Sequence, residues 1–168
     1  MGQRQSQTNA PLFYAQRLMS IYDQSSDTYD QNSHTSIQQD QHALLTGAWL
    51  CLKESWVSWL NELSTYMNLA RIEGYQLNEL ELLLKAGLPE GQLLLGLLDT
   101  TESWLSIMLQ RIVKPTERLK SMVKANDSTV ALISLVSTDE VSEDLLIRQV
   151  LSEFKQYIES VRVRQIEW

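Results

Sequence analysis

The stretch from Ile37 to Met67 constrains this chain more than any other. It reads IQQDQHALLTGAWLCLKESWVSWLNELSTYM, holds three of the five tryptophans and contains no proline. Leu45, Trp49, Leu52, Trp56, Trp59, Leu63 and Tyr66 follow one another in alternating steps of four and three. At about 3.6 residues per turn, that spacing lays them along one side of a helix. Leu44, Ala48, Leu50, Val57 and Leu60 lie off this seam. A helix that is apolar on more than one side is packed on more than one side. The fold expected is therefore all-α, a helical bundle of four to five helices around a central Trp-rich helix.

The rest of the chain can be fitted around that helix as one domain, 1–168, a length one core can serve. Residues 1–7 are polar and expected to fray. Thr8 or Asn9 can cap a first helix that tolerates Pro11 in its first turn and ends near Asp23. The segment 24–36, QSSDTYDQNSHTS, reads as a polar loop. Ser33, Thr35 and Ser36 are candidate caps for the central helix, which spans about 37–70. A short helix over 77–86 comes next, with Gly87 after it. A long helix follows over 89–113, with Leu94, Leu97, Thr101, Trp104 and Met108 inward and Pro115 beyond its end. Trp56 and Trp104 are expected to face each other. The connection 114–137 is the least helical part, and Thr129–Val136 reads as extended chain or a lone strand. Ser137 and Glu140 form a capping-box pattern. It opens a last helix over 138–162, with Leu145, Leu146, Val150, Phe154, Tyr157, Ile158 and Val161 inward.

Charge and composition narrow the functions open to such a bundle. The formal net charge of −7 repels phosphate backbones and disfavours nucleic acid as a partner. In the basic cluster Arg111, Lys114, Arg118, Lys120 and Lys124, a helix C-terminus explains Arg111 and Lys114, and a weak site for an anionic partner is the alternative reading. No apolar run reaches the roughly 18 residues of a membrane span, and the N-terminus lacks the apolar core of a signal peptide. A single cysteine, Cys51, cannot form an intramolecular disulfide. The expected location is the cytoplasm, with no membrane association.

The sequence lacks the common catalytic patterns of helical bundles. Di-iron bundles carry Glu-x-x-His on facing helices. Here Gln31 and Gln39 stand three residues before His34 and His42. Two histidines make a poor zinc site, and the expectation is no metal and no cofactor. RNA-cleaving toxin bundles pair an arginine with a histidine four to six residues later, and neither histidine has one. There is no phosphate loop, GxSxG elbow or CxxC. Paired acids such as Glu79 with Glu81, or Asp139 with Glu140, read as dipole partners and solubilising charge. No catalytic residue is assigned.

Two groups of residues remain as candidates. His42 continues the central seam three residues before Leu45. It is either a histidine at the core's edge or a ligand-binding group, with Tyr66 and Glu54 as further polar groups of a Trp-lined pocket. Ala43, Gly47, Cys51 and Ser55 form a row of small residues at intervals of four. Glycine inside a helix costs about 1 kcal/mol relative to alanine, so Gly47 implies close packing. The row either receives the first or last helix or forms a homodimer crossing.

Three patches carry a family resemblance: TNAPLFYAQRLM (8–19), ALLTGAWLCLKE (43–54) and LLDTTESWLSIML (97–109), with LISLV (132–136) as a fourth. In these the chain resembles a family of small helical proteins of unknown function from gamma-proteobacteria. The resemblance implies a bacterial cytoplasmic helical domain and supplies no active site. The function expected is a non-catalytic interaction or adaptor module, through a protein partner or self-association. The alternative is a protein, or enzyme, that binds a small apolar or aromatic ligand between helices.

Overall fold

The computed structural model describes residues 2–27, 34–66, 89–113 and 142–166. Among these residues the chain forms five helices and no strand. They are α1 (Gly2–Asp27), α2 (His34–Tyr66), α3 (Pro89–Asp99), α4 (Trp104–Val113) and α5 (Glu143–Ile166). The all-α bundle expected from the seam is the observed fold. The short helix 77–86, the segment 129–136 and the Ser137–Glu140 capping box lie outside the described residues.

α2 runs through the middle. It packs most extensively against α1 and also touches α4 and α5, while α5 closes against α1 and α4. The alternating seam explains this placement. Leu52, Trp56, Trp59 and Leu63 are buried, as are Ala48 and Leu60 from off the seam, so α2 is covered on two sides. Leu50 and Tyr66 are exposed.

The core beside α2 is aromatic. Trp56 meets Trp104 edge to face at 6.0 Å and Phe154 at 5.8 Å. Phe154 in turn stacks on Trp104 at 4.9 Å. Tyr157 lies 5.5 Å from Trp104 and 6.0 Å from Trp59. Aromatic pairs in these geometries contribute about 0.5–1.5 kcal/mol each beyond their area. They tie α2, α4 and α5 together.

Several boundaries differ from the sequence reading. The long helix expected over 89–113 is broken between Asp99 and Trp104. Ser103 caps α4, its Oγ accepting from the Ser106 N–H at 3.1 Å while donating to the Leu97 carbonyl. Ser106 Oγ reaches the Leu97 and Leu98 carbonyls at 3.3 and 3.2 Å. Hydroxyls thus satisfy the backbone groups that the break leaves open.

α1 starts at Gly2 and runs to Asp27, so Thr8 and Asn9 lie inside it instead of capping it, and residues 2–7 are helical. Pro11 sits within the helix. Having no N–H, it cannot bond the Gln7 carbonyl. The ends of the segment expected as a polar loop over 24–36 are helical, because α1 runs to Asp27 and α2 begins at His34 and takes in Thr35 and Ser36.

α5 opens at Glu143, where the Leu146 N–H bonds the Ser142 carbonyl at 3.2 Å, not at Thr138. Its inward side includes Ile147 and Leu151, and Leu145, expected inward, is exposed. Glu143 accepts from Trp49 Nε1 at 2.7 Å and pairs with Arg111 at 3.2 Å, which joins the first turn of α5 to α2 and α4.

Candidate functional site

One buried carboxylate organises the far end of α2. Glu62 is 3% exposed, three residues beyond Trp59 and one before Leu63, so the helix turns it inward with the seam. A buried carboxylate must be paired and hydrogen-bonded. Arg162 of α5 supplies a two-pronged pair, Nε to Oε1 at 2.9 Å and Nη2 to Oε2 at 2.8 Å. Thr8 of α1, fully buried, donates its hydroxyl to Oε2 at 2.9 Å. Tyr66 donates to Oε1 at 3.4 Å.

The same set reaches further into α1. Arg162 Nη1 donates to Asn9 Oδ1 at 2.9 Å, and Ser55 Oγ donates to the Thr8 carbonyl at 2.8 Å. The guanidinium also lies 5.5 Å from the centre of the Trp59 ring, within cation–π range. Every partner belongs to the protein itself, so the arrangement is a clamp joining α1, α2 and α5.

Beside it, the Trp59 N–H and the Tyr157 hydroxyl are buried without a hydrogen-bond partner. Burial holds the Tyr157 phenol well above its ordinary value. The nearby Trp59 N–H opposes that shift only in part, lying close to the hydroxyl but off hydrogen-bonding geometry. A phenol kept protonated in an apolar setting is not a base.

The residues singled out in the sequence do not converge. His42, Glu54 and Tyr66 all lie on α2 and are all exposed. At about 1.5 Å per residue, His42 and Tyr66 stand roughly 36 Å apart along the axis. His42 borders an open depression of about 420 Å³ with Gln38, Gln39 and Ala43, far from the clamp. Tyr66 is engaged with Glu62. Glu54 acts on Cys51, whose thiol is pushed up by burial first and by that carboxylate second. Such a thiol is less often the reactive thiolate. Among the described residues no cluster of histidine, cysteine and carboxylates could hold a metal.

The small-residue row meets α1 inside the chain. A Cβ on Gly47 would stand 3.2 Å from Leu18 Cδ1. Ser55 is buried against Thr8, Cys51 is half-buried, and Ala43 is exposed.

One surface stands out against this. The inner side of α1 buries Leu12, Ala15 and Met19. The opposite side holds Phe13, Tyr14 and Ile21, which are 62%, 58% and 38% exposed. Phe13 and Tyr14 meet edge to face at 5.9 Å. α1 is thus apolar on two sides, and the bundle covers one of them.

The family model for a family of unknown function, DUF6586, matches residues 1–168. The chain belongs to this family. No curated protein and no solved structure matches it. Of the patches behind the resemblance, 8–19 falls on α1 with both its faces, 43–54 within α2, and 97–109 across the α3–α4 break. The DUF6586 match brings no catalytic residue with it.

Sequence reasoning missed the clamp and the outer face of α1. A signal for each was present. Glu62 falls on the buried side of the Trp56–Trp59–Leu63 seam, where an acid needs a partner. Phe13 and Tyr14 fall off the Leu12–Ala15–Met19 stripe, on the side of α1 opposite the one the bundle buries.

Proposed function

We propose that this chain is a non-catalytic interaction module that docks a protein partner through the outer face of α1. The observation that carries this reading is the exposure of Phe13, Tyr14 and Ile21 on the side of α1 turned away from the bundle. Two aromatic rings and a branched aliphatic side chain on one rigid helix make a low-entropy contact surface. Contiguous exposed apolar surface marks interaction sites. The polar groups of the interior support the same reading, because Glu62 and Arg162 are spent on each other and on α1. The setting we propose is the cytoplasm of a bacterium, with the gamma-proteobacterial source implied by the patches at 8–19, 43–54 and 97–109. A lone thiol suits a reducing compartment. No helix among the described residues is long and apolar enough to cross a membrane.

Native mass spectrometry of the chain purified from its own host tests the proposal. The expected spectrum contains a second protein chain bound to the wild type and absent from Phe13→Ser/Tyr14→Ser. A retained small molecule, kept equally by both forms, would replace the docking reading with the ligand-binding one.

A further inference from the structure

Arg17 stands in the middle of the outer face of α1. It follows Phe13 by four residues and precedes Ile21 by four, so the three form one row, with Tyr14 beside it. Arg17 is exposed. Among the described residues it has no ion pair, hydrogen bond or ring contact. The other charged residue of α1 whose side chain is described, Asp23, turns to α5 and pairs with Arg148. Among the described side chains the outer face therefore carries one cation and no anion, on a chain whose net charge is −7.

We infer that this face receives an acidic amphipathic helix of a partner protein. The inference rests on the docking reading above and names its occupant. Side chains four apart on α1 form a ridge of the kind that packs into the groove of another helix. Apolar residues of the partner cover Phe13, Tyr14 and Ile21, and a carboxylate on the same face meets Arg17. Guanidinium binds carboxylate through paired, charge-assisted hydrogen bonds. Apolar neighbours that exclude water strengthen that pair.

Charge also decides against a second copy. A two-fold contact through this face would bring two Arg17 side chains together with no acid among the described side chains of the face to meet them. The overall charge does not prevent an acidic helix from docking, because salt screens exposed charges beyond about 8–10 Å. The nearest charge then governs the contact, and here it is positive.

The test uses the full chain and two synthetic helical peptides. The peptides share the same apolar residues at a, d and e positions. They differ only at one central position of that face, glutamate in one and lysine in the other. Fluorescence anisotropy should show the glutamate peptide binding about tenfold tighter or more than the lysine peptide. Arg17→Glu should reverse the preference. Phe13→Ser/Tyr14→Ser should weaken both peptides. Equal binding of the two peptides, still lost in Phe13→Ser/Tyr14→Ser, overturns the charge inference and leaves the docking face standing. No binding by either peptide, or binding indifferent to all these changes, overturns both. Light scattering that finds a wild-type dimer split by Phe13→Ser/Tyr14→Ser overturns the inference in favour of a second copy.

Discussion

The two sides of α1 are built from similar side chains and meet different surroundings. On the inner side, Leu12, Ala15 and Met19 are at most 6% exposed, and Thr8 is locked to Glu62. On the outer side, Phe13 and Tyr14 are more than half exposed although they are larger and more costly to leave in water. The hydrophobic effect alone would bury the aromatic pair first, since aromatic side chains remove the most apolar area. That α1 buries a leucine, an alanine and a methionine instead shows what chooses its orientation. Small residues at Ala15 and Gly47 permit close approach, and the Thr8–Glu62–Arg162 clamp fixes the rotation.

Breaking the clamp should have the largest effect. Glu62→Ala leaves the Arg162 cation, 15% exposed, without its counter-charge. Removing one partner of a buried ion pair costs about 3–5 kcal/mol. Urea unfolding should show that loss, and α1 should be the first part to gain amide hydrogen exchange. A loss below about 1 kcal/mol would mean that the clamp does not orient α1.

Leu12→Ala comes next. Truncating a buried leucine costs about 2–5 kcal/mol, and the lower half of that range applies where the site can relax. Leu12 lies beside Pro11, in a helix packed on one side only, so about 2–3 kcal/mol is expected. Thermal unfolding is the measurement. No change would place Leu12 outside the core.

Gly47→Leu should be milder, about 1–3 kcal/mol of overpacking. Even a Cβ there stands at 3.2 Å from Leu18 Cδ1. The same variant separates the two readings of the small-residue row. A folded but destabilised protein of unchanged mass is the expected result by light scattering. A dimer that falls to a stable monomer would instead place Ala43, Gly47, Cys51 and Ser55 at a crossing between copies.

The outer face should show almost nothing in stability. Phe13→Ser and Tyr14→Ser remove exposed side chains, and surface changes stay within about 0.5 kcal/mol. A pair of variants that melts like the parent would sharpen the contrast between the two sides. A large loss would show that the aromatic pair supports the fold.

Much of the bundle was legible because periodicity is a direct record of burial. The Leu45–Trp49–Leu52–Trp56–Trp59–Leu63 seam placed α2, and its register put Trp56 against Trp104, where the structure has them at 6.0 Å. The break at Thr100–Ser103 was not legible, because serine and threonine serve a helix interior and a cap equally and only the partner carbonyls decide. Pro11 misled in the same way. A proline is a start signal in sequence, whereas the helix runs on from Gly2 through Pro11. The clamp was hidden by distance along the chain, since Thr8, Glu62 and Arg162 sit on three helices and no local spacing connects them. The outer face of α1 was hidden by a rule that runs one way. Apolar residues are expected inside, and one stripe satisfied that expectation before the second was counted.

Photo-crosslinking in the host compares the two kinds of exposed surface most directly. A benzophenone side chain replaces Tyr14 in one protein and Leu145, 55% exposed on α5, in another. If the outer face of α1 docks a partner, position 14 yields a discrete heavier adduct that disappears when Phe13 and Ile21 are changed to serine, and position 145 yields none. Equal yields from both positions, or no adduct from position 14, would contradict the account.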